Sequence, residues 1–157
     1  MSRPAPTRGL GLAALCMSLA GLAWADDLRL PAQVPKTYQQ ECASCHLAYP
    51  PAALPAASWQ AVMGGLARHH GVDASIEPEQ VTALSQWLQT HAGTGRRMAQ
   101  RPPEDRITRS AWFERKHRKI KAEVWQRASI GSPARCQACH LGAEQGRYDD
   151  DNIRISP

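Results

Sequence analysis

The pentapeptide Cys42-Ala43-Ser44-Cys45-His46 recurs further along the chain as Cys136-Gln137-Ala138-Cys139-His140. Two thiols three positions apart, followed at once by an imidazole, form the attachment pattern of a c-type haem. The thiols bond covalently to the edge of the haem, and the next residue is close enough to ligate its iron. Cys42, Cys45, Cys136 and Cys139 are therefore read as covalent anchors, and His46 and His140 as proximal iron ligands. Two copies imply two haem c groups and single-electron chemistry at iron. Four thiolates in two pairs could instead hold a structural zinc ion. A thioredoxin-like dithiol would need a preceding strand and a βαβ context, and neither is read here. Two disulfides would suit an exported chain. None of these three readings accounts for a histidine after both pairs.

The first 25 residues have the layout of a secretory signal. Arg3 and Arg8 give a positive start, Leu10 to Leu22 is an apolar run of 13 residues, and Ala23-Trp24-Ala25 is a small-x-small cleavage site. The apolar run is short for a membrane span. Leu15 occupies the position before Cys16 where a lipid-anchor signal needs a small residue. The mature chain is expected to begin at Asp26, to be periplasmic and to lack a membrane span. The whole chain carries a formal charge of +5; the signal takes two arginines and no acids with it, leaving +3 and four cysteines, all in the haem motifs. Four haem propionates would bring the total close to neutral. Nucleic acid is not an expected partner.

A chain of this length makes one domain or two very small ones. With one Phe and four Trp after cleavage, an aromatic core is modest, and two flat apolar haems would supply what is missing. The expected fold is all-α, with two small helical domains organised by haem: residues 26–95, then a basic linker and C-terminal domain over 96–157. Without haem, poor folding is expected.

Residues 26–35 read as an extended lead-in, and Lys36 to Leu47 as a short helix carrying the first motif. Tyr49 to Pro55 is Pro-rich and ends it. Ser58 reads as an N-cap, with Trp59, Val62, Met63 and Leu66 following at helical spacing. That stripe continues to His69 or His70, and Gly71 reads as its stop. A further helix starts at Pro78, with Val81, Leu84, Trp87 and Leu88 on one face, His91 continuing it and Gly93 ending it. Gly95 to Thr108, with Pro102, Pro103 and Arg96, Arg97, Arg101 and Arg106, reads as the linker. A third helix is expected from about Ser110 to Ala128, its apolar face formed by Phe113, Ile120 and Val124 with His117 among them. Gly131-Ser132-Pro133 breaks the chain before the second motif. The tail, with Asp149, Asp150 and Asp151, either folds back on the basic linker or helix or is solvated.

Each iron has a sixth position. His117 is the only spare histidine in the second half, 23 residues before His140 on an inward face, and is the candidate there. For the first iron, periodicity does not choose between His69 and His70. His91 is an inward-facing rival, and Met98, in an irregular loop, is another, because small cytochromes can use a loop methionine. Met63, in mid-stripe, reads as core.

The stretch from Glu41 to Pro51 (ECASCHLAYPP), followed by Leu54-Pro55 and Ser58-Trp59-Gln60, resembles the small dihaem cytochrome c family. So do Trp112 to His117 (WFERKH) and Ser132 to Gly146 (SPARCQACHLGAEQG). The resemblance spans most of the mature chain in the family's order. It implies an N-terminal domain like the class I monohaem cytochromes c and a less familiar C-terminal one. It implies bis-histidine ligation at both irons, with His69 and His117 as distal ligands. Family members usually have a histidine and then an aromatic where this chain has His69-His70, so His70 is the departure; His91 matches no family ligand. Both irons would then be low-spin, closed to oxygen or peroxide and low in potential, since histidine replaces the methionine that raises it. The family's associates are a high-spin, oxygen-binding monohaem cytochrome c and a membrane cytochrome b.

The expected role is therefore that of an electron carrier between redox proteins, not an enzyme. The competing class is a dihaem peroxidase-like enzyme or a gas sensor, either of which needs one open iron. Between Arg96 and Lys121 stand ten Lys or Arg and three acids. Such a run can steer an acidic redox partner, or simply be a solvated helix face.

Overall fold

Proline and glycine divide this chain into short helices. The structure, a computed structural model, describes residues 28–157, so the expected signal lies outside the described residues. Within them are five α-helices: α1 (Lys36–Cys42), α2 (Ala56–Gly64), α3 (Pro78–Thr90), α4 (Ala111–His117) and α5 (Ala122–Trp125), with eight 3₁₀ turns and no strand. Three isolated bridges are the only β-type pairings among the described residues. The fold class is all-α, as expected.

The N-terminal half closes on one core. Tyr38 of α1, Leu54, Trp59 and Met63 of α2, and Leu84 and Leu88 of α3 are buried together. Side chains of this size contribute about 1.5–3 kcal/mol each when fully buried. Helix α3 starts as its sequence requires. Pro78 fills the first turn, where no N–H is needed, and Glu77 and Gln80 form a reciprocal capping box. Gly93 brings the end of this segment against the Pro-rich loop: its N–H donates to the Leu54 carbonyl at 2.9 Å. A Cβ there would lie 2.4 Å from the Ala52 carbonyl oxygen and 2.7 Å from Met98 Cγ. Only glycine permits that approach.

Several boundaries differ from expectation. Helix α1 ends at Cys42, not Leu47, so the first haem motif occupies a turn. Helix α2 begins at Ala56 with Pro55 at the cap, and Ser58 is buried inside its first turn. The Gly64-Gly65 pair ends α2 early, because paired glycines weaken helical propagation. His69 and His70 therefore do not extend the α2 stripe. They lie beyond a 3₁₀ turn (Leu66–Arg68), in a tight reversal in which Val72 N–H donates to the His69 carbonyl at 3.1 Å. His70 and Gly71 sit at its tip with φ of 49° and 101°.

The second half has less apolar material. Ala53, Met98, Trp112 and Phe113 form its buried cluster, with Leu28, Ile107 and Trp125 packed against it. The third helix is not continuous to Ala128. It stops after His117, and Lys121, in extended backbone, opens the four-residue α5. The run Arg115, Lys116, His117, Arg118, Lys119 explains the stop. Cations are favoured beside the carbonyl end of a helix, whereas continuation would stack like charges at i, i+3 and i, i+4. Ser110 caps the start by accepting from Phe113 N–H.

The segment read as a linker is packed. Met98 is buried in the second cluster, and Ile107 touches both cores. Two of its arginines are tied to its own acids, and Arg97 lies over the Trp112 ring, 5.4 Å from its centroid. Arg101 makes a two-pronged contact with Asp105 at 2.5 Å, and Glu104 pairs with both Arg106 and Arg109. These pairs hold Glu104 and Asp105 at φ of 56° and 54°. The acidic tail does fold back, but onto the second haem motif. Leu141 N–H donates to Asn152 O at 3.1 Å, and Arg154 N–H to Cys139 O at 2.8 Å.

Candidate functional site

Two histidine pairs are brought face to face. His46, after the first thiol pair, lies with its ring centroid 6.1 Å from that of His69. His140, after the second pair, lies 6.2 Å from His117. A metal–imidazole bond of about 2.0–2.1 Å, plus roughly 1.1 Å from nitrogen to ring centre, puts two rings on opposite sides of one metal about 6.3 Å apart. Both separations fit a single iron between each pair.

The rivals are elsewhere. His70 is exposed at the turn tip, its ring 4.7 Å from that of His69. His91 caps the end of α3, with its ring over Trp87 at 5.2 Å and Nδ1 2.8 Å from the Trp87 carbonyl. Met98 is buried with Ala53, Trp112 and Phe113, and Met63 lies in the first core as expected.

Ring orientation is set by backbone carbonyls. His46 Nδ1 lies 2.7 Å from Leu47 O, and His117 Nδ1 2.9 Å from Phe113 O. Such a bond fixes the tautomer and leaves Nε2 for a metal. Stacking adds to it: Tyr49 lies on His46 at 4.9 Å and Phe113 on His117 at 3.9 Å. Burial, with His70, His46 and Arg106 nearby, holds His69 below the ordinary imidazole range. Burial and His117 lower His140 in the same way, with Asp150 and Asp149 opposing. The neutral imidazole favoured by both shifts is the form that binds metal.

Around the second pair is a cavity of about 180 Å³ that opens to solvent. Its walls include His117, His140, Cys136 and Cys139, with Phe113, Trp125 and Ile120 on the apolar side. Ile120 and Trp125 reach it because the chain breaks between α4 and α5. Trp112 Nε1, His140 Nδ1 and Tyr148 Oη are buried without a hydrogen-bond partner, and all three residues line this cavity. Buried polar atoms normally have partners. Trp112 and Tyr148 are donors suited to carboxylates such as haem propionates.

The first site is more open, with His46 exposed and His69 half-buried. Four large hydrophobic residues stand out as exposed: Val72, Leu141, Ile153 and Ile155. Val72 bridges to His69, Leu141 follows His140, and the two isoleucines line the cavity. Exposed apolar surface concentrated at two places marks binding sites. The residues fit two haems.

The thiols do not suit the competing chemistries. Among the described residues no group of three or more His, Cys, Asp or Glu is clustered as a metal site would be. Burial pushes Cys42 and Cys136 up to about 11, opposite to the lowered pKa of a redox dithiol.

Sequence reasoning missed several wall residues. Leu28, Tyr148, Ile153 and Ile155 come from the lead-in and the tail, neither of which shows helical periodicity. Tyr49 was visible only as part of a motif. It stacks on His46, lines the cavity of the other site and donates its hydroxyl proton to Ala134 O at 2.8 Å.

Comparison with known proteins gives a consistent family. Residues 38–148 match the family model described as dihaem cytochrome c. A dihaem cytochrome c from Shewanella baltica OS155 is 34% identical, superimposes with a TM-score of 0.68, and covers 78% of this chain and 94% of its own. A dihaem cytochrome c from Rhodobacter sphaeroides is 36% identical, with a TM-score of 0.65 and coverage of 73% and 97%. A second crystal structure from that organism gives 34%, 0.64, 74% and 98%. No curated protein matches.

Proposed function

The chain belongs to the dihaem cytochrome c family, and from that premise we propose that it is a periplasmic carrier of single electrons with two bis-histidine haems. His46 and His69 ligate one iron, His140 and His117 the other. The observation that carries this reading is the pair of ring separations, 6.1 and 6.2 Å. Each haem, when bound, supplies reversible one-electron chemistry at its iron, at a potential set largely by the axial ligands and burial. Each half, residues 26–95 and 96–157, is organised around one haem, with the lead-in crossing to the second.

The chain's own residues keep both sites closed to chemistry. Each histidine pair would hold its iron with two imidazoles and leave no site for oxygen or peroxide to bind. The carbonyls of Leu47 and Phe113 hold two of the four rings in place, so little reorganisation accompanies a change of charge. Phe113, Trp125 and Ile120 exclude water from one face of the second site. Two histidine ligands favour a low potential, and the low-dielectric wall of the second site, which disfavours the more charged ferric state, sets its haem above the more open first one. The more open first site offers an exchange edge to one partner.

The second exchange surface is basic. With Arg101, Arg106 and Arg109 engaged with Asp105 and Glu104, the densest positive surface lies at the end of α4, at Arg115, Lys116, Arg118 and Lys119. Lys116 also lines the second cavity. An acidic redox protein is the partner this surface suits, and the oxygen-binding monohaem cytochrome c of the family resemblance is a candidate acceptor, with a membrane cytochrome b as donor. Among the described residues no helix is long and apolar enough to cross a membrane.

Stopped-flow mixing of the reduced protein with an excess of an acidic ferric c-type cytochrome tests this. Two electrons should leave each chain, at a rate that falls steeply as salt is raised, since the Debye length shrinks to about 8 Å at physiological ionic strength. A rate flat with salt would remove the steering role. Failure to deliver two electrons would remove the carrier reading.

A further inference from the structure

Tyr49 belongs to both sites at once. Its ring stacks on that of His46 at 4.9 Å between centroids and 22° between planes. Its hydroxyl donates to the Ala134 carbonyl at 2.8 Å, an 85-residue connection that lands two residues before Cys136. Its side chain also lines the cavity that contains Cys136, Cys139 and His140. Its own carbonyl accepts from Tyr38 Oη at 2.5 Å, and Tyr38 is buried in the first core. Thus one side chain touches the proximal ligand of the first site, is hydrogen-bonded into the peptide carrying the anchors of the second, and has its backbone pinned by the N-terminal core.

We propose that Tyr49 is the coupling residue between the two haem sites: it orients His46 by stacking and provides, through its hydrogen bond to Ala134, a route of direct contacts from one site to the other. This rests on the two-haem carrier reading. One electron leaves the reduced site and one arrives at the oxidised site, so the first iron is oxidised as the second is reduced. No covalent bond forms or breaks. Tyr49 keeps its proton and is not itself oxidised. The route runs from the His46 ring to the stacked phenol ring, across O–H···O=C to Ala134, and along the backbone to Cys136.

The two functions of the side chain separate by substitution. Tyr49→Phe keeps the ring on His46 and deletes the hydrogen bond; Tyr49→Leu deletes both. Pulse radiolysis of the holoprotein, injecting less than one electron per chain, would follow redistribution between the haems. Wild-type protein should show a concentration-independent redistribution phase. Tyr49→Phe should slow it several-fold while leaving both potentials and both low-spin EPR signals in place. Tyr49→Leu should slow it further and shift the EPR signal of the first haem alone, because the His46 ring loses its stack. A wild-type redistribution rate in Tyr49→Phe would overturn the proposal, as would an unshifted first-haem signal in Tyr49→Leu. Absence of any redistribution phase in the wild type would overturn the carrier reading instead. A merely structural role would move the melting temperature and leave the rate and the first-haem signal unchanged.

Discussion

Replacing His117 by alanine is expected to turn the second haem high-spin and make it bind carbon monoxide, while the first haem stays low-spin. His117 sits at the end of α4, held by Phe113 from two directions: the Phe113 ring stacks on it at 3.9 Å, and the Phe113 carbonyl lies 2.9 Å from Nδ1. The ring is therefore already aimed across the cavity at His140, 6.2 Å away. Preorganisation of this kind makes the sixth bond a property of this one side chain. No other histidine among the described residues lines that cavity besides His140. Removing His117 leaves an open iron face behind the walls of Trp125 and Ile120. Absorption and EPR spectra with and without carbon monoxide should show half of the total haem converted. His117→Met should instead restore six-coordination and raise the potential of that haem, since methionine ligation favours the reduced state. A His117→Ala variant that stays low-spin and unreactive would refute the assignment.

The double substitution Cys136→Ala with Cys139→Ala should abolish attachment of the second haem and unfold the second half, leaving the first haem bound. The two halves differ in what holds them. The N-terminal core buries six side chains, among them Tyr38, Trp59, Leu84 and Leu88. The second cluster buries four, one of them an alanine, beside a cavity of about 180 Å³ that opens to solvent. With no haem between them, the apolar walls of that cavity, Phe113, Trp125 and Ile120 among them, lose the surface they would bury against, at about 25 cal/mol per Å². Hydrogen exchange should show residues beyond about 107 losing protection, while α2 and α3 keep theirs. Uniform retention of protection in both halves would contradict the idea that haem fills the second core.

The haem motifs and α3 were legible because their signals are local. Cys-x-x-Cys-His states its chemistry in five residues, and Pro78 and the spacing of Val81, Leu84, Trp87 and Leu88 mark a helix without reference to anything else. The positions of the distal histidines were harder. The stripe from Trp59 through Leu66 points at His69 and His70, but Gly64-Gly65 ends the helix first. What separates the two histidines is a reversal that puts His69 across from His46 and leaves His70 exposed at positive φ. The unbroken helix expected from Ser110 followed from the apolar spacing of Phe113, Ile120 and Val124. Charge repulsion after Arg115 and the demand of the cavity for Ile120 and Trp125 decided otherwise. The roles of Leu28, Tyr148, Ile153 and Ile155 have no local signature, because they arise only when both ends of the chain converge on the second site.

The most direct measurement is the EPR spectrum of the oxidised holoprotein, followed by exposure of the reduced protein to carbon monoxide. The interplanar angle is 33° for His46 and His69 and 73° for His117 and His140. Nearly parallel axial rings give an ordinary rhombic low-spin signal, and crossed rings give a strongly anisotropic one with a single large g value. One signal of each kind in equal amounts, no high-spin iron and no spectral change with carbon monoxide are expected. A high-spin signal in the native protein, or carbon monoxide binding to either haem, would mean an open iron and would contradict a bis-histidine electron carrier.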